Sequence, residues 1–155
     1  MSFARNALVL AFAAGVALLV ARHLRVDIGG LWVVLSTVTI LKPKFSDAVT
    51  TARDQLFGTT VGVCFGAVFG LMHQAVISVA VAVFLTAWVC GVIPMLRTVV
   101  SIACVGAAIV IILPAGRPSY VTAWNRFTDT LLGAAIALLV AALAARTYRW
   151  WPAKS

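Results

Sequence analysis

Charged residues are scarce in this sequence, and acidic residues are almost absent. Aspartate and glutamate together number 4, and charged residues make up 10% of the 155 positions. A soluble globular domain carries about 25% charged residues, so this chain has too few to cover a surface in contact with water. Hydrophobic residues make up 63% of the chain, and its mean hydropathy is +1.09. The composition therefore predicts an integral membrane protein, with residues 1–155 forming a single transmembrane domain.

Residues that bind metals or attack substrates are also few. The three cysteines, Cys64, Cys90 and Cys104, each lie inside an apolar run, and their spacing fits no zinc or redox motif. His23 and His73 lie near the ends of apolar runs. No pairing of a nucleophile with a base and no phosphate-binding loop is visible in the sequence. We therefore expect a protein without a metal, a cofactor or an enzymatic activity.

The net charge of +8 would suggest a nucleic acid partner if the protein were soluble. Here the 12 lysines and arginines lie mainly between apolar runs. Membrane topology and anionic lipid headgroups account for basic residues in those positions. We therefore expect the lipid bilayer, and not nucleic acid, to be the partner of the basic side chains.

Apolar runs separated by short polar or proline-containing segments predict six helices. They cover residues 7–21, 28–41, 46–71, 75–93, 98–113 and 119–145. Several of these runs end at a proline, which cannot continue helical hydrogen bonding without cost. Most approach the roughly 20 residues that a helix needs to cross a bilayer. We expect Ser46 or Asp47 to cap the third helix, and residues 95–97 to form a tight turn.

The basic residues are distributed unevenly between the two sides that these six helices define. With the N-terminus in the cytoplasm, eight lie on the inner side: Arg5, Lys42, Lys44, Arg53, Arg97, Arg146, Arg149 and Lys154. Four lie on the outer side: Arg22, Arg25, Arg117 and Arg126. Cytoplasmic loops are enriched in lysine and arginine, so we expect both termini in the cytoplasm.

The third helix carries a ridge of glycines behind a pair of charged residues. Gly58, Gly62, Gly66 and Gly70 recur every four residues and therefore share one face of the helix. In water each glycine would weaken a helix by about 1 kcal/mol relative to alanine. In a membrane the same ridge lets a neighbouring helix backbone approach closely. The pattern predicts close helix packing in lipid.

The chain shows an internal repeat at an offset of 75 residues. Lys42-Pro43 matches Arg117-Pro118, Asp54 matches Asp129, and the ridge Gly58, Gly62, Gly66, Gly70 matches Gly133, Ala137, Ala141, Ala145. The repeat halves are about residues 1–73 and 74–155, with three helices each. An odd number of helices reverses the orientation of the second half. The predicted fold is therefore an all-α bundle of six transmembrane helices, built from two inverted three-helix repeats.

Two aspartates and an arginine lie inside the predicted spans. Asp54 is about 12 Å and Asp129 about 15 Å from the start of its helix, at about 1.5 Å per residue. Arg126 precedes Asp129 by three residues and shares its helix face. These charges have two interpretations. In the first, they hold helix ends at the membrane interface and form ion pairs between helices. In the second, they line a water-accessible path together with Lys42, Arg53 and Arg117, and this path favours anions.

Two sequence stretches resemble a known family. They are Ala52-Arg53-Asp54-Gln55-Leu56-Phe57-Gly58-Thr59-Thr60-Val61-Gly62 and Asn125-Arg126-Phe127-Thr128-Asp129-Thr130-Leu131-Leu132-Gly133. The first is similar to the Arg-x-x-Gly-Thr-x-x-Gly-like signature of the fusaric acid resistance (FUSC) and aromatic acid exporter superfamily, and the second to its later Arg-x-x-Asp-Thr-x-x-Gly pattern. The plant aluminium-activated malate transporters are distantly similar. The family's motif residues fall at Arg53, Gly58, Thr59, Gly62, Arg126, Asp129 and Gly133.

The resemblance implies a six-helix bundle in the bacterial inner membrane that exports aromatic or other organic acids. Two alternatives remain open: a membrane assembly subunit that transports nothing, and a passive anion channel. Many family members carry a soluble domain and a second membrane half, whereas this sequence ends at Ser155. We therefore expect a homo-oligomer, a dimer or larger, or a subunit that needs a partner.

Overall fold

The computed structural model describes residues 2–24, 29–72, 75–113 and 118–150, and most of these residues are helical. Within these ranges there are six α-helices and no strand. The helices are α1 (Ser2–His23), α2 (Gly29–Ile40), α3 (Phe45–Phe69), α4 (Ala75–Val92), α5 (Val100–Ile112) and α6 (Ser119–Trp150), with a 3₁₀ segment (Pro94–Val99) between α4 and α5. The predicted number and order of helices are confirmed.

Several local predictions were wrong: α1 begins at Ser2 and not at residue 7, and three further differences follow. Helix α3 begins at Phe45, so Ser46 lies inside the first turn and its hydroxyl donates to Asp47 Oδ1 at 3.2 Å. Residues 95–97 belong to the 3₁₀ segment, and α6 continues past residue 145 to Trp150. The reason is that helix ends depend on capping contacts and last-turn geometry, which composition describes poorly.

Two helical segments are long and apolar enough to cross a membrane by length and composition, namely Asn6–His23 in α1 and Ser119–Arg146 in α6. Shorter apolar segments are Gly30–Ile40, Val76–Val92 and Leu96–Ile112. The sequence-based expectation that all six helices span the membrane stays a prediction.

Small side chains are buried and large apolar side chains are exposed, which reverses the arrangement of a soluble protein. Alanine is the commonest buried residue, whereas Phe12, Phe84 and Trp88 are more than half exposed at 64%, 67% and 62%. Exposed apolar side chains at many helix positions would cause aggregation in water. In lipid they contact acyl chains, and the small buried residues allow close helix packing.

The structure falls into two compact units. One contains residues 1–53 and 131–155, and the other contains Asp54–Thr130, so both α3 and α6 contribute to each unit. In the first unit, an alanine face of α1 packs in a core with residues of α2 and α6. The alanines are Ala13, Ala17 and Ala21, and they are fully buried. In the second unit, α4 packs along α5.

Within the second unit, α5 lies directly against the glycine ridge of α3. A Cβ atom added to Gly58 would lie 2.9 Å from Ile102, and one added to Gly66 would lie 2.7 Å from Val110. At Gly62 the added atom would overlap the carbonyl oxygen of Ala103. Because an alanine would collide at each of these positions, the α3–α5 packing depends on the absence of a side chain there.

Candidate functional site

The first half of α6 places an arginine and an aspartate in the protein interior. Arg126 is 8% exposed and Asp129 is 4% exposed. The two residues are one helical turn apart, and their charges interact electrostatically. Burial of either charge alone would cost several kcal/mol. The arrangement therefore places two opposite charges one turn apart on the buried face of the helix.

The same face of α6 contacts α3 and α5. Ala123, one turn before Arg126, packs in one buried cluster with Val63 of α3 and Val110 of α5. On the other side of the arginine, Thr130 is fully buried and its hydroxyl donates to the carbonyl oxygen of Arg126 at 2.9 Å. The charged pair thus interrupts the buried face of α6 within the second unit.

The outward face of this part of α6 is aromatic. Trp124 is 66% exposed, and its ring centroid lies 6.2 Å from that of Phe127. Asn125 is also exposed. In a membrane, exposed aromatic rings contact lipid and anchor a helix near the interface. The aromatic pair and the charged pair therefore occupy different faces of the same two turns.

The other predicted path residues have different environments. On α3, Asp54 is half-buried and Arg53 is exposed. Lys42 is exposed just after α2, and Arg117 lies outside the described residues. The repeat matches Asp54 with Asp129, yet Asp129 is the more buried of the two. One turn before Asp54 the sequence has Thr51, where Arg126 stands before Asp129, so the two aspartates differ in their nearest charge.

Buried hydroxyl groups form a second set of polar contacts between helices. Thr37 is fully buried, and its hydroxyl donates to the carbonyl oxygens of Val33 at 2.8 Å and of Gly133 at 3.2 Å. Ser119 donates to the carbonyl oxygen of Gly70 at 2.9 Å. Thus one residue from each of the two matched ridges, Gly70 in the first and Gly133 in the second, accepts a hydrogen bond from a distant segment of the chain. The sequence did not predict either contact, because partners that are distant in the chain leave no local pattern.

Replacing Thr37 by valine tests the contact between α2 and α6. Valine keeps the shape of the side chain but removes the hydroxyl that reaches Gly133. Hydrogen bonds between membrane helices contribute about 0.6 kcal/mol on average, so we expect a loss of that order in the free energy of unfolding in detergent. Thr39→Val is the matched control, because the Thr39 hydroxyl donates within its own helix, to Leu35. Equal losses in the two variants would contradict the contact.

The described residues contain no group of three or more His, Cys, Asp or Glu side chains that could hold a metal ion. Of the three cysteines, Cys90 is buried, Cys104 is half-buried and Cys64 is exposed. A position inside an apolar run therefore did not determine whether a cysteine is buried, and Cys64 is exposed.

Comparison with known sequences identifies one family. Residues 7–140 match the profile of the FUSC_2 family, which is described as fusaric acid resistance protein-like. The match includes Arg126 and Asp129 as well as the four ridge glycines, Gly58, Gly62, Gly66 and Gly70. No curated protein and no solved structure matches the chain.

Proposed function

Because the chain belongs to the fusaric acid resistance protein-like (FUSC) family, we propose that it exports small organic anions, aromatic acids among them, out of the cytoplasm. The family is of the membrane-transporter type, so membership of it supports a role in transport across a membrane. The observation that carries the choice of an anionic substrate is the buried pair Arg126 and Asp129. Ionisable residues inside membrane segments are costly, and where they occur they mark substrate or ion pathways.

The chemistry of the pair favours a carboxylate substrate. An arginine guanidinium binds a carboxylate through two parallel hydrogen bonds. In the structure Asp129 supplies the negative charge beside Arg126. A carboxylate substrate presents the same chemical group, so in our proposal it takes the place of Asp129 at the guanidinium. Asp129 would then be neutralised by a proton taken up from the same side as the anion, so that anion and proton would cross the membrane together and leave Arg126 and Asp129 paired again on release.

The proposed route uses the inverted repeat. The third helix of each repeat packs against the second helix of the other: Gly62 of α3 lies against α5, and Gly133 of α6 lies against Val33 and Ser36 of α2. This reciprocal contact supports two related halves. In our proposal the halves rock about a midplane site near Asp54, Arg126 and Asp129. On the sequence alone, the basic residues Arg53, Lys42 and Arg117 stay candidates for the path of the anion.

The proposed setting is the bacterial inner membrane, with both termini in the cytoplasm. The excess of basic residues on that side supports this orientation. We propose a homo-oligomer, since the exposed apolar faces of the helices leave room for contact between copies as well as with lipid.

A second candidate function is a membrane assembly subunit that transports nothing. The observation that favours it is the close packing of α5 on the α3 ridge, which gives these glycines a purely structural use. The two functions make different demands on the charged pair. A packing subunit requires only that no buried charge is left uncompensated. A transporter requires the guanidinium of Arg126, because that group binds the anion.

Transport by the purified chain in liposomes tests the proposal. Vesicles are loaded with radiolabelled benzoate as an aromatic carboxylate, and a proton gradient is imposed across the membrane. With the vesicle interior as the more acidic side, we expect efflux against the benzoate gradient that is faster than in protein-free vesicles under the same proton gradient, and this excess stops when an ionophore collapses the proton gradient. Efflux only down the benzoate gradient would indicate a passive channel. Absence of flux above that of protein-free vesicles, from chain shown to be folded and inserted, would support the subunit and contradict transport.

A further inference from the structure

A groove in the first unit combines apolar walls with a polar rim. It lies between α1, the segment that follows α2, and the C-terminal half of α6. Its lining residues are Asn6, Val9, Leu10, Leu41, Lys42, Pro43, Ala141 and Ala144. None of them is Arg126 or Asp129, and of the residues in the proposed transport path only Lys42 lines the groove.

The lining changes from polar to apolar along the helix axes. Asn6 lies near the start of α1, and Leu10 lies one turn further into that helix. Lys42 is exposed where the chain leaves α2, and Leu41 beside it is buried. The shallow end of the groove therefore carries an amide and an ammonium group, and its deeper end is apolar.

This gradient matches the structure of a phospholipid. A phosphate sits at the level where a membrane helix meets water, and its acyl chain extends toward the bilayer centre. Lysine is a point charge that binds phosphate well, and basic pockets between membrane helices on the cytoplasmic side bind anionic headgroups. In the proposed orientation, Lys42 faces the leaflet that is rich in anionic lipid.

The size of the groove favours a lipid acyl chain over a small-molecule substrate as its occupant. Its volume is about 50 Å³, which holds a few atoms of one chain. Pockets for drug-sized molecules measure about 300–1,000 Å³. An acyl chain needs only a narrow groove for part of its length, because the rest of the chain lies in the bilayer.

We propose that this groove binds one anionic phospholipid, with its phosphate at Lys42 and Asn6 and an acyl chain along Leu10 and Ala141. Bound lipid would link α1 to α6 at the cytoplasmic surface. Binding to the folded protein but not to the unfolded chain would stabilise the fold by mass action.

Native mass spectrometry of the full chain in detergent tests the proposal. The protein is incubated with equal amounts of phosphatidylglycerol or phosphatidylcholine, and retained lipid is counted. We expect one retained phosphatidylglycerol, and at least fivefold lower retention of phosphatidylcholine. Equal retention of the two lipids would overturn the role of the charge. Displacement of phosphatidylglycerol by millimolar inorganic phosphate would show a site for a free anion and overturn the lipid assignment.

The segment between α2 and α3 contains two lysines, Lys42 and Lys44, which provide a matched pair of variants. Lys42→Gln and Lys44→Gln each remove one positive charge, but only Lys42 lines the groove. We expect at least a fivefold loss of retained phosphatidylglycerol in the first variant, and less than a twofold change in the second. Equal losses would show a diffuse basic surface and overturn the site.

Ala144→Leu tests the groove without changing charge. The larger side chain would fill the groove, so we expect retention of phosphatidylglycerol to fall with both lysines intact. Unchanged retention would overturn the placement of the acyl chain. The comparison of the two lipids on the unaltered chain needs no variant, so the proposal stays testable whether or not each variant folds.

Discussion

Arg126→Gln is expected to abolish anion export and to lower the free energy of unfolding by about 3–5 kcal/mol, because it leaves the carboxylate of Asp129 buried without its compensating charge. Arg126 and Asp129 are 8% and 4% exposed, so water screens neither charge effectively. The measurements are benzoate efflux from proteoliposomes and reversible unfolding in detergent. Arg22→Gln, at an exposed arginine near the end of α1, should change stability by no more than about 0.5 kcal/mol.

The double variant Arg126→Gln with Asp129→Asn separates folding from transport. With both charges removed, no charge is left uncompensated at this pair, so we expect most of the lost stability to return. Export should remain absent, because neither amide can replace the guanidinium in binding a carboxylate. A double variant that is stable and exports benzoate at the unaltered rate would show that the pair serves only for packing. That result would contradict the proposed site.

Gly62→Ala is expected to disrupt the packing of α3 on α5. The new Cβ would overlap the carbonyl oxygen of Ala103 and lie 3.0 Å from its carbonyl carbon. These are backbone atoms, so the collision can be relieved only by moving a helix. Overpacking typically costs about 1–3 kcal/mol, and we expect the upper end of that range in the free energy of unfolding in detergent.

Two other glycines act as controls for this prediction. Gly106 faces Gly62 at the same helix crossing, but a Cβ there would meet its nearest atom at 3.6 Å, an ordinary contact. Gly15 in α1 has open space around the corresponding position. Gly106→Ala should be close to neutral. Gly15→Ala should stabilise α1 by up to about 1 kcal/mol, the helix-propensity difference. A Gly62→Ala protein as stable as either control would contradict the close approach of α3 and α5.

The helices were predictable because their signals are local. Apolar runs, prolines and basic residues lie next to one another in the chain, and they gave six helices in the observed order. The predicted ends were less accurate: α3 starts at Phe45 instead of Ser46 or Asp47, and α6 reaches Trp150. The family motifs are also local, so both the FUSC resemblance and the residues of the charged pair came from short stretches of sequence.

The candidate site was predictable only in part. The spacing of Arg126 and Asp129 placed both on one helix face, and the structure buries both. The internal repeat predicted that Asp54 and Asp129 occupy corresponding positions, yet Asp54 is only half-buried whereas Asp129 is buried. The internal repeat shows which residues of the two halves correspond in type. It does not show how buried each one is, because burial depends on which helices pack against that residue, and those helices are distant in the sequence.

The sequence by itself determined that this is a helical membrane protein of the FUSC family, with glycines every four residues on α3 and an arginine and an aspartate one turn apart on α6. Tertiary structure alone decided which glycine has a carbonyl against it and which has room, that the Thr37 hydroxyl reaches a residue 96 positions away, and that Lys42 shares a groove with Asn6 and Ala141. The physical reason is that periodicity and hydropathy are properties of neighbouring residues. Close contacts between helices depend on the packing of segments that are distant in sequence.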